Sequence, residues 1–342
     1  MINRLIWLET DNTYPYRNLA MEEYMTLHVP QGTCILYLWQ NRHTVVIGKN
    51  QNCWRECRVN FLEQESGYLV RRLSGGGAVF HDLGNLNFTF IVGAGDYDVS
   101  RQLDVILEAV RSLGIHAEKT GRNDITVDGR KFSGNAFYRT GDGCYHHGTI
   151  LIRADKENMS RYLNVSKEKL ASKGVTSVKS RVANLCEFKP DITLEEVKSA
   201  LVEAFSKVYG QPAVRMEEGE LPQPDIDART EKFASWQWKY GRKIPFEYEM
   251  EKRFPWGNIQ IQFHVDEGMI QDVNVFSDAM DQEMIGMLAE QLKGCAYAEE
   301  DICRAVKAVG TDAFQAGEYT GADEPQSCRI KEDIMTLVRE SL

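Results

Sequence analysis

The chain has 342 residues, 43% of them hydrophobic and 26% charged, with eight cysteines. That composition is ordinary for a folded globular protein and excludes wholesale disorder, a collagen-like repeat and a disulfide-stapled miniprotein. The net charge of −10 argues against nonspecific nucleic-acid binding, and no apolar run approaches the roughly 18 residues of a membrane span.

The length exceeds what one hydrophobic core usually supports, so two domains are expected. Charge places the division: residues 248–342 carry 19 acidic and 8 basic side chains, whereas residues 1–247 carry 31 and 32. The expected organisation is a neutral domain over residues 1–247 and an acidic one over 255–342. Met1–Thr10 has no charged leader, apolar stretch and small-residue cleavage site, so the protein is expected to stay in the cytoplasm with its cysteines reduced.

In chain order, residues 34–47 read as a hairpin turning at Gln40–His43, and residues 86–92 alternate as a strand. From Ser100, apolar residues recur at helical spacing until Gly114. Ile125–Val127 and Lys131-Phe132 flank Asp128-Gly129, a strong hairpin-turn signal. A helix from Thr193 to Tyr209 opens with a Thr193/Glu196 capping box and stops at Gly210. Residues 211–230, with three of the nine prolines, read as a long irregular connection. Residues 258–264 and 270–276 alternate as strands, and helices follow near 280–293, 298–309 and 330–341. Strands and helices mix without strict βαβ alternation, which predicts an α+β fold.

The densest chemistry lies in Arg71–Asn87. The run Gly75-Gly76-Gly77 after Arg71-Arg72 could turn its N–H groups onto an anion or simply make a tight turn. It lacks a Gly-Lys-[Ser/Thr] ending, so it is not a P-loop. Lys131 lies on a strand beside Ser133 and Gly134, small residues that admit a ligand; an exposed edge-strand lysine is the plainer reading. Asn123 and Asp124 could offer oxygens to Mg²⁺ or form an ordinary turn. His146 and His147 are adjacent on a strand and therefore point to opposite faces, which disfavours a shared zinc. The basic run 166–181 is a solvated face or a docking surface for an acidic partner.

Together, Arg71-Arg72-x-Ser74-Gly75-Gly76-Gly77-Ala78-Val79-x-His81-Asp82-x-Gly84-Asn85, Gly121-Arg122-Asn123-Asp124, Lys131-x-Ser133-Gly134 and His146-His147-Gly148-Thr149 resemble the lipoate–protein ligases. Lys173-Gly174-Val175, Trp236-x-Trp238 and Phe254-x-Trp256-Gly257 extend the resemblance over essentially the whole chain. It implies a large catalytic domain related to biotin-ligase modules and a small α+β accessory domain. It also implies activation of lipoate by ATP to lipoyl-AMP with release of pyrophosphate. Transfer to a lysine of lipoyl domains of 2-oxoacid dehydrogenase complexes, or of the glycine-cleavage H protein, would follow.

By the same resemblance, Arg72, Gly75, Gly76, Gly77, Ala78, Val79, Phe80, Asn85 and Lys131 hold ATP or lipoyl-AMP. Arg72, Ser74, His81, Lys131 and His147 hold lipoate; Lys131 is catalytic, and Asn123 and Asp124 bind Mg²⁺. Loops near 140–147 and 172–182 are candidates for closing the site. A monomer with no nucleic-acid or membrane partner is expected. The alternative is a lipoyl or octanoyl transferase that uses a preactivated acyl donor.

Overall fold

A computed structural model describes residues 1–120, 124–164, 182–310 and 326–342. The Gly121-Arg122-Asn123 motif, the basic run 166–181 and most of the candidate closing loop 172–182 lie outside the described residues. The chain divides into two compact units. The first comprises residues 1–47, 54–72 and 78–239, the second residues 48–53, 73–77 and 240–342.

The first unit is built on an eight-stranded mixed sheet with the order β11-β1-β2-β6-β10-β9-β8-β7. Its strands are β1 (Arg4–Glu9), β2 (Thr33–Trp39), β6 (Asn85–Gly93), β7 (Glu118–Thr120), β8 (Asp124–Val127), β9 (Arg130–Arg139), β10 (Gly143–Leu151) and β11 (Ala213–Arg215). A smaller sheet orders β3 (Thr44–Ile47) between β4 (Tyr68–Arg71) and β5 (Val79–His81). The helices are α1 (Pro15–Leu27), α2 (Cys53–Glu56), α3 (Val59–Gln64), α4 (Val99–Ser112), α5 (Lys156–Tyr162), α6 (Leu194–Tyr209), α7 (Gln223–Ala234) and α8 (Trp236–Tyr240).

Strand β6 explains the layering. Phe88 and Phe90 project to the side where Phe205 of α6 packs on Phe90 at 5.8 Å, while Thr89 projects to the other side and donates to Glu22 of α1. Both faces of the central sheet are therefore covered, and β2 is buried along its whole length. That burial corrects the expected 34–47 hairpin. β2 spends its two edges on β1 and β6, and β3 pairs instead with β4 and β5. Buried Asn41 and half-buried His43, at φ 38°, turn the chain from one sheet to the other.

Residues 211–230 are likewise not irregular. They hold β11 and most of α7, because Pro224 sits in the first helical turn, where its fixed φ and missing N–H cost nothing. Ile226 and Phe233 are fully buried, and Arg229 and Lys232 clasp the Glu23 carboxylate of α1 at 2.9 and 2.6 Å. The alternating Trp236 and Trp238 fall in helix α8. Residues 143–147 of the candidate closing loop 140–147 belong to strand β10.

The second unit holds an antiparallel sheet of β12 (Tyr248–Phe254), β13 (Gly257–Asp266) and β14 (Met269–Ser277). Helices α9 (Gln282–Leu292), α10 (Glu299–Ala308) and α11 (Gln326–Ser341) complete it. Ile259, Ile261, Phe263, Leu288, Ile302, Val306 and Ile334 form its core. No helix among the described residues is long and apolar enough to cross a membrane.

The capping box of α6 is present as the sequence predicts. Thr193 Oγ1 accepts from Glu196 N, Thr193 N donates to Glu196 Oε2, and Gly210 closes the helix at φ 73°. Replacing Thr193 with Ala is expected to lower stability by about 1 kcal/mol in urea unfolding.

Candidate active site

Lys131 is placed by a hairpin. Asp128 and Gly129 both take positive φ, 50° and 71°, the backbone of a two-residue turn whose twist suits β8 and β9. Beyond the turn Thr126 pairs with Lys131, but Ile125 pairs with Ser133, so Phe132 is an extra residue in a bulge. Bulges re-aim side chains, and here the Lys131 ammonium lies 2.5 Å from Asp124 Oδ1. A Cβ at Gly134 would stand 2.6 Å from Lys131 Nζ. The glycine is therefore the floor on which the ammonium rests. Gly134 N in turn donates to Thr149 Oγ1 on β10 at 3.3 Å.

A polar cluster lies beneath α1. Buried Glu22 accepts from Thr89 Oγ1 at 2.7 Å and pairs with His147 Nδ1 at 2.8 Å; Trp39 Nε1 donates to Thr89 Oγ1 at 3.1 Å. The His147 ring lies 4.7 Å from that of Tyr145. Arg72 is also buried and donates through Nη1 to the Val46 carbonyl at 3.3 Å. Burial lowers its pKa to about 10, a shift that Tyr145 and Glu22 oppose.

His81, on β5, is held neutral. Burial foremost, then Arg72 and His147, push its pKa down to about 3. Among the described residues, His81 Nε2, Asn85 Oδ1, Asn87 Nδ2 and Ser133 Oγ are buried without a hydrogen-bond partner. Each such group costs about 1–3 kcal/mol until something meets it. His81 and Asn85 are candidate site residues, and Asn87 and Ser133 lie in the motifs that contain the candidates. Val79 and Phe80 precede His81 on β5, and Phe80 stacks on Tyr162 at 5.4 Å.

His146 is not part of this cluster. It faces α4, with Nδ1 3.2 Å from Gln102 Oε1 and Nε2 2.8 Å from Asn135 Oδ1, packed among Phe88, Phe90 and Phe137. Burial, followed by His147 and Lys119, pushes its pKa to about 3. A neutral ring donates through one nitrogen only, so one of the two amides must present its own N–H₂ to the ring. The two adjacent histidines thus serve opposite faces of β10.

The glycine run takes a different part from an open anion nest. Leu73–Gly77, with the candidates Ser74, Gly75, Gly76 and Gly77, belongs to the second unit. Gly76, at φ 86°, donates its N–H to the Ala279 carbonyl at 3.1 Å, and a Cβ on Gly75 would stand 2.4 Å from that same oxygen. A nest needs its N–H groups turned to one anion, and the Gly76 N–H is spent on a carbonyl. Ser74 is buried, its carbonyl accepting from Lys49 N. Arg71 also separates from Arg72: it bonds the Trp238 and Lys239 carbonyls, and Trp238 Nε1 returns a bond to the Arg71 carbonyl. Ala78, half-buried, leads into β5.

Asp124 supplies one hard oxygen donor of the kind Mg²⁺ takes together with phosphate oxygens. The described residues contain no group of three or more His, Cys, Asp or Glu that could hold a metal. Residues that sequence reasoning missed include Glu22, Asn18, Asn41, Trp39 and Thr89. The one legible hint was Glu22-Glu23 within an otherwise apolar turn of α1.

The model described as the lipoyl protein ligase A/B catalytic domain matches residues 14–206, and the chain belongs to that family. The bacterial lipoate protein ligase C-terminus matches residues 243–321, so the chain carries both regions of the lipoate–protein ligase family. P. falciparum LipL1, solved in complex with lipoate, is 29% identical with a TM-score of 0.81, over 97% of this chain and 99% of that one. A bi-partite lipoate protein ligase and its E2 lipoyl domain from Thermoplasma acidophilum give 27% identity and a TM-score of 0.61, over 71% and 99%. A lipoate-protein ligase A bound with ATP gives 25% and 0.60, over 70% and 99%.

The two buried histidines make stability depend on pH. Each has an ordinary value of 6.5 and a folded value of about 3. Between those values the unfolded chain binds protons that the folded chain refuses, so stability falls as pH drops below 6.5. Together they are expected to cost about 3 kcal/mol between about pH 7.5 and pH 5.5. Urea unfolding across that range checks it; a flat profile would contradict neutral burial.

Proposed function

We propose that this protein is an ATP-dependent lipoate–protein ligase that makes lipoyl-AMP and passes the lipoyl group to a lysine of an acceptor protein. The observation that carries the reading is the Lys131 ammonium, fixed beside Asp124 over the bare backbone of Gly134. Residues 1–247 form the catalytic domain and 255–342 the accessory domain.

A carboxylate and an α-phosphate repel each other, and attack requires positive charge between them. Lys131 supplies that charge. One lipoate carboxylate oxygen attacks the α-phosphorus, the bond to the bridging oxygen breaks, and pyrophosphate leaves with the electron pair. In the second step the neutral Nζ of the acceptor lysine attacks the acyl carbon. The C–O bond to AMP breaks, AMP leaves as the anion, and the new amide loses a proton.

Arg72 and His81 accompany Lys131 on the acyl side, and His147 with Glu22 lines the pocket deeper under α1. Ala78, Val79, Phe80 and Asn85 hold the nucleotide, as do Gly75, Gly76 and Gly77; Ser74 holds lipoate. Mg²⁺ would be held by Asp124, with Asn123 by the resemblance, and would neutralise charge on the leaving pyrophosphate. The acyl adenylate hydrolyses readily, so the site must exclude water until the acceptor arrives.

The acceptors are lipoyl domains of 2-oxoacid dehydrogenase complexes and the glycine-cleavage H protein, met by a monomer in the cytoplasm. The thioester-forming transferases need a reactive thiolate. Burial holds the Cys144 thiol up at about 11, which supports the ligase over that alternative.

Lipoate-dependent ATP–pyrophosphate exchange tests the reading. Lys131→Ala is expected to lower exchange by about 10²–10³-fold, in the range for removing one charge-stabilising donor. Gly134→Ala, which displaces the same ammonium, is expected to lower it in the same direction. Exchange that survives Lys131→Ala would remove this lysine from the reaction.

A further inference from the structure

The hydrogen bonds behind His81 determine where its proton sits. Asn18 Nδ2 lies 3.0 Å from the Asn12 carbonyl, 2.9 Å from the Gln40 carbonyl and 3.0 Å from Asn41 Oδ1; its own Oδ1 accepts from the Tyr37 hydroxyl. Backbone carbonyls only accept, so the nitrogen of Asn18 must face them; a flipped amide would set oxygen against two oxygens. Asn41 must then offer its oxygen to Asn18, which leaves its N–H₂ for His81 Nδ1, 3.3 Å away. Were Asn41 flipped, two amide nitrogens would face each other.

A ring nitrogen that accepts carries no proton. A neutral His81 is therefore protonated at Nε2, a buried atom with no acceptor among the described residues. Asn18 and Asn41 are both completely buried, so water does not compete for these bonds. The order runs from main-chain carbonyls, through two amides, to one imidazole proton.

We propose that Asn18 and Asn41 are positioning residues that hold His81 in its Nε2–H tautomer and so aim a neutral donor at an anionic oxygen of the bound acyl substrate. Only the identity of that ligand rests on the function proposed above; the tautomer does not. A fixed neutral donor suits a pocket that already contains the Arg72 guanidinium, because it selects an oxygen without adding a second cation.

The test is nitrogen-15 NMR of the histidine rings in the full-length protein, with His81 assigned by the signals lost in His81→Gln. The expected spectrum shows a neutral ring protonated at Nε2 at neutral pH; an Nδ1–H ring or an imidazolium overturns the proposal. Asn41→Asp keeps the shape and can still accept from Asn18, but it can only accept, drawing the ring proton to Nδ1. The neutral Nε2–H form is expected to disappear in that variant, and its persistence would remove Asn41 from the role.

Calorimetric titrations with lipoate alone and with α,β-methylene-ATP alone identify the oxygen. His81→Gln, which restores an N–H near the same point, is expected to bind lipoate about tenfold more tightly than His81→Ala, the size of one satisfied buried donor. Equal affinities, or a difference confined to the nucleotide, overturn the acyl assignment. Absent ATP–pyrophosphate exchange with an intact Nε2–H signal would overturn the ligase reading instead.

Discussion

The proposed chemistry sets a lysine ammonium beside two anions, and it needs somewhere to rest that neither buries it in apolar surroundings nor lets water scatter it. Gly134 provides that place: any side chain there would occupy the space Lys131 Nζ now fills. The rest of the arrangement supports this contact. The Asp128-Gly129 turn sets the hairpin, the bulge at Phe132 re-aims the strand, and Asp124 restrains the ammonium from the neighbouring strand. A flexible charge would spend much of any attraction on ordering itself, whereas Asp124 and the bare backbone of Gly134 hold this one.

The central sheet divides its labour by the simple alternation of strands. On β6 and β10, one face presents Phe88, Phe90 and His146 to the packed interior under α4. The other presents Asn87, Thr89 and His147 under α1, where buried polar groups accumulate. Polar groups in such a position destabilise the fold unless they are met. Under the proposed function a bound ligand meets these groups, a common exchange of stability for function.

Where one local rule dominates, the sequence was enough. Asp128-Gly129 predicts its turn, Thr193 and Glu196 their capping box, and adjacency alone separates His146 from His147. It misled where two structures satisfy one pattern. The apolar runs of 34–47 suit a hairpin equally well, but full burial of β2 commits both its edges elsewhere. The prolines of 211–230 look like breakers, yet Pro224 begins a helix. For the site, Lys131 stood out because it sat beside small residues, and Arg72 and His81 because of the resemblance. Glu22, Asn18 and Asn41 did not, since their importance lies in hydrogen bonds to distant segments, over 125 residues in the case of Glu22 and His147. The glycine run was ambiguous in sequence, and its contacts with the Ala279 carbonyl could not be read from local pattern.

The central claim is that this site joins lipoate to AMP itself and does not merely receive an activated acyl group. Rapid-quench single turnover with lipoate and labelled ATP, acceptor omitted, measures that directly. The account predicts enzyme-bound lipoyl-AMP and pyrophosphate in equal amounts, about one per active site. If neither forms, while supplied lipoyl-AMP is still transferred to an acceptor lysine, the claim is wrong and the protein is a transferase.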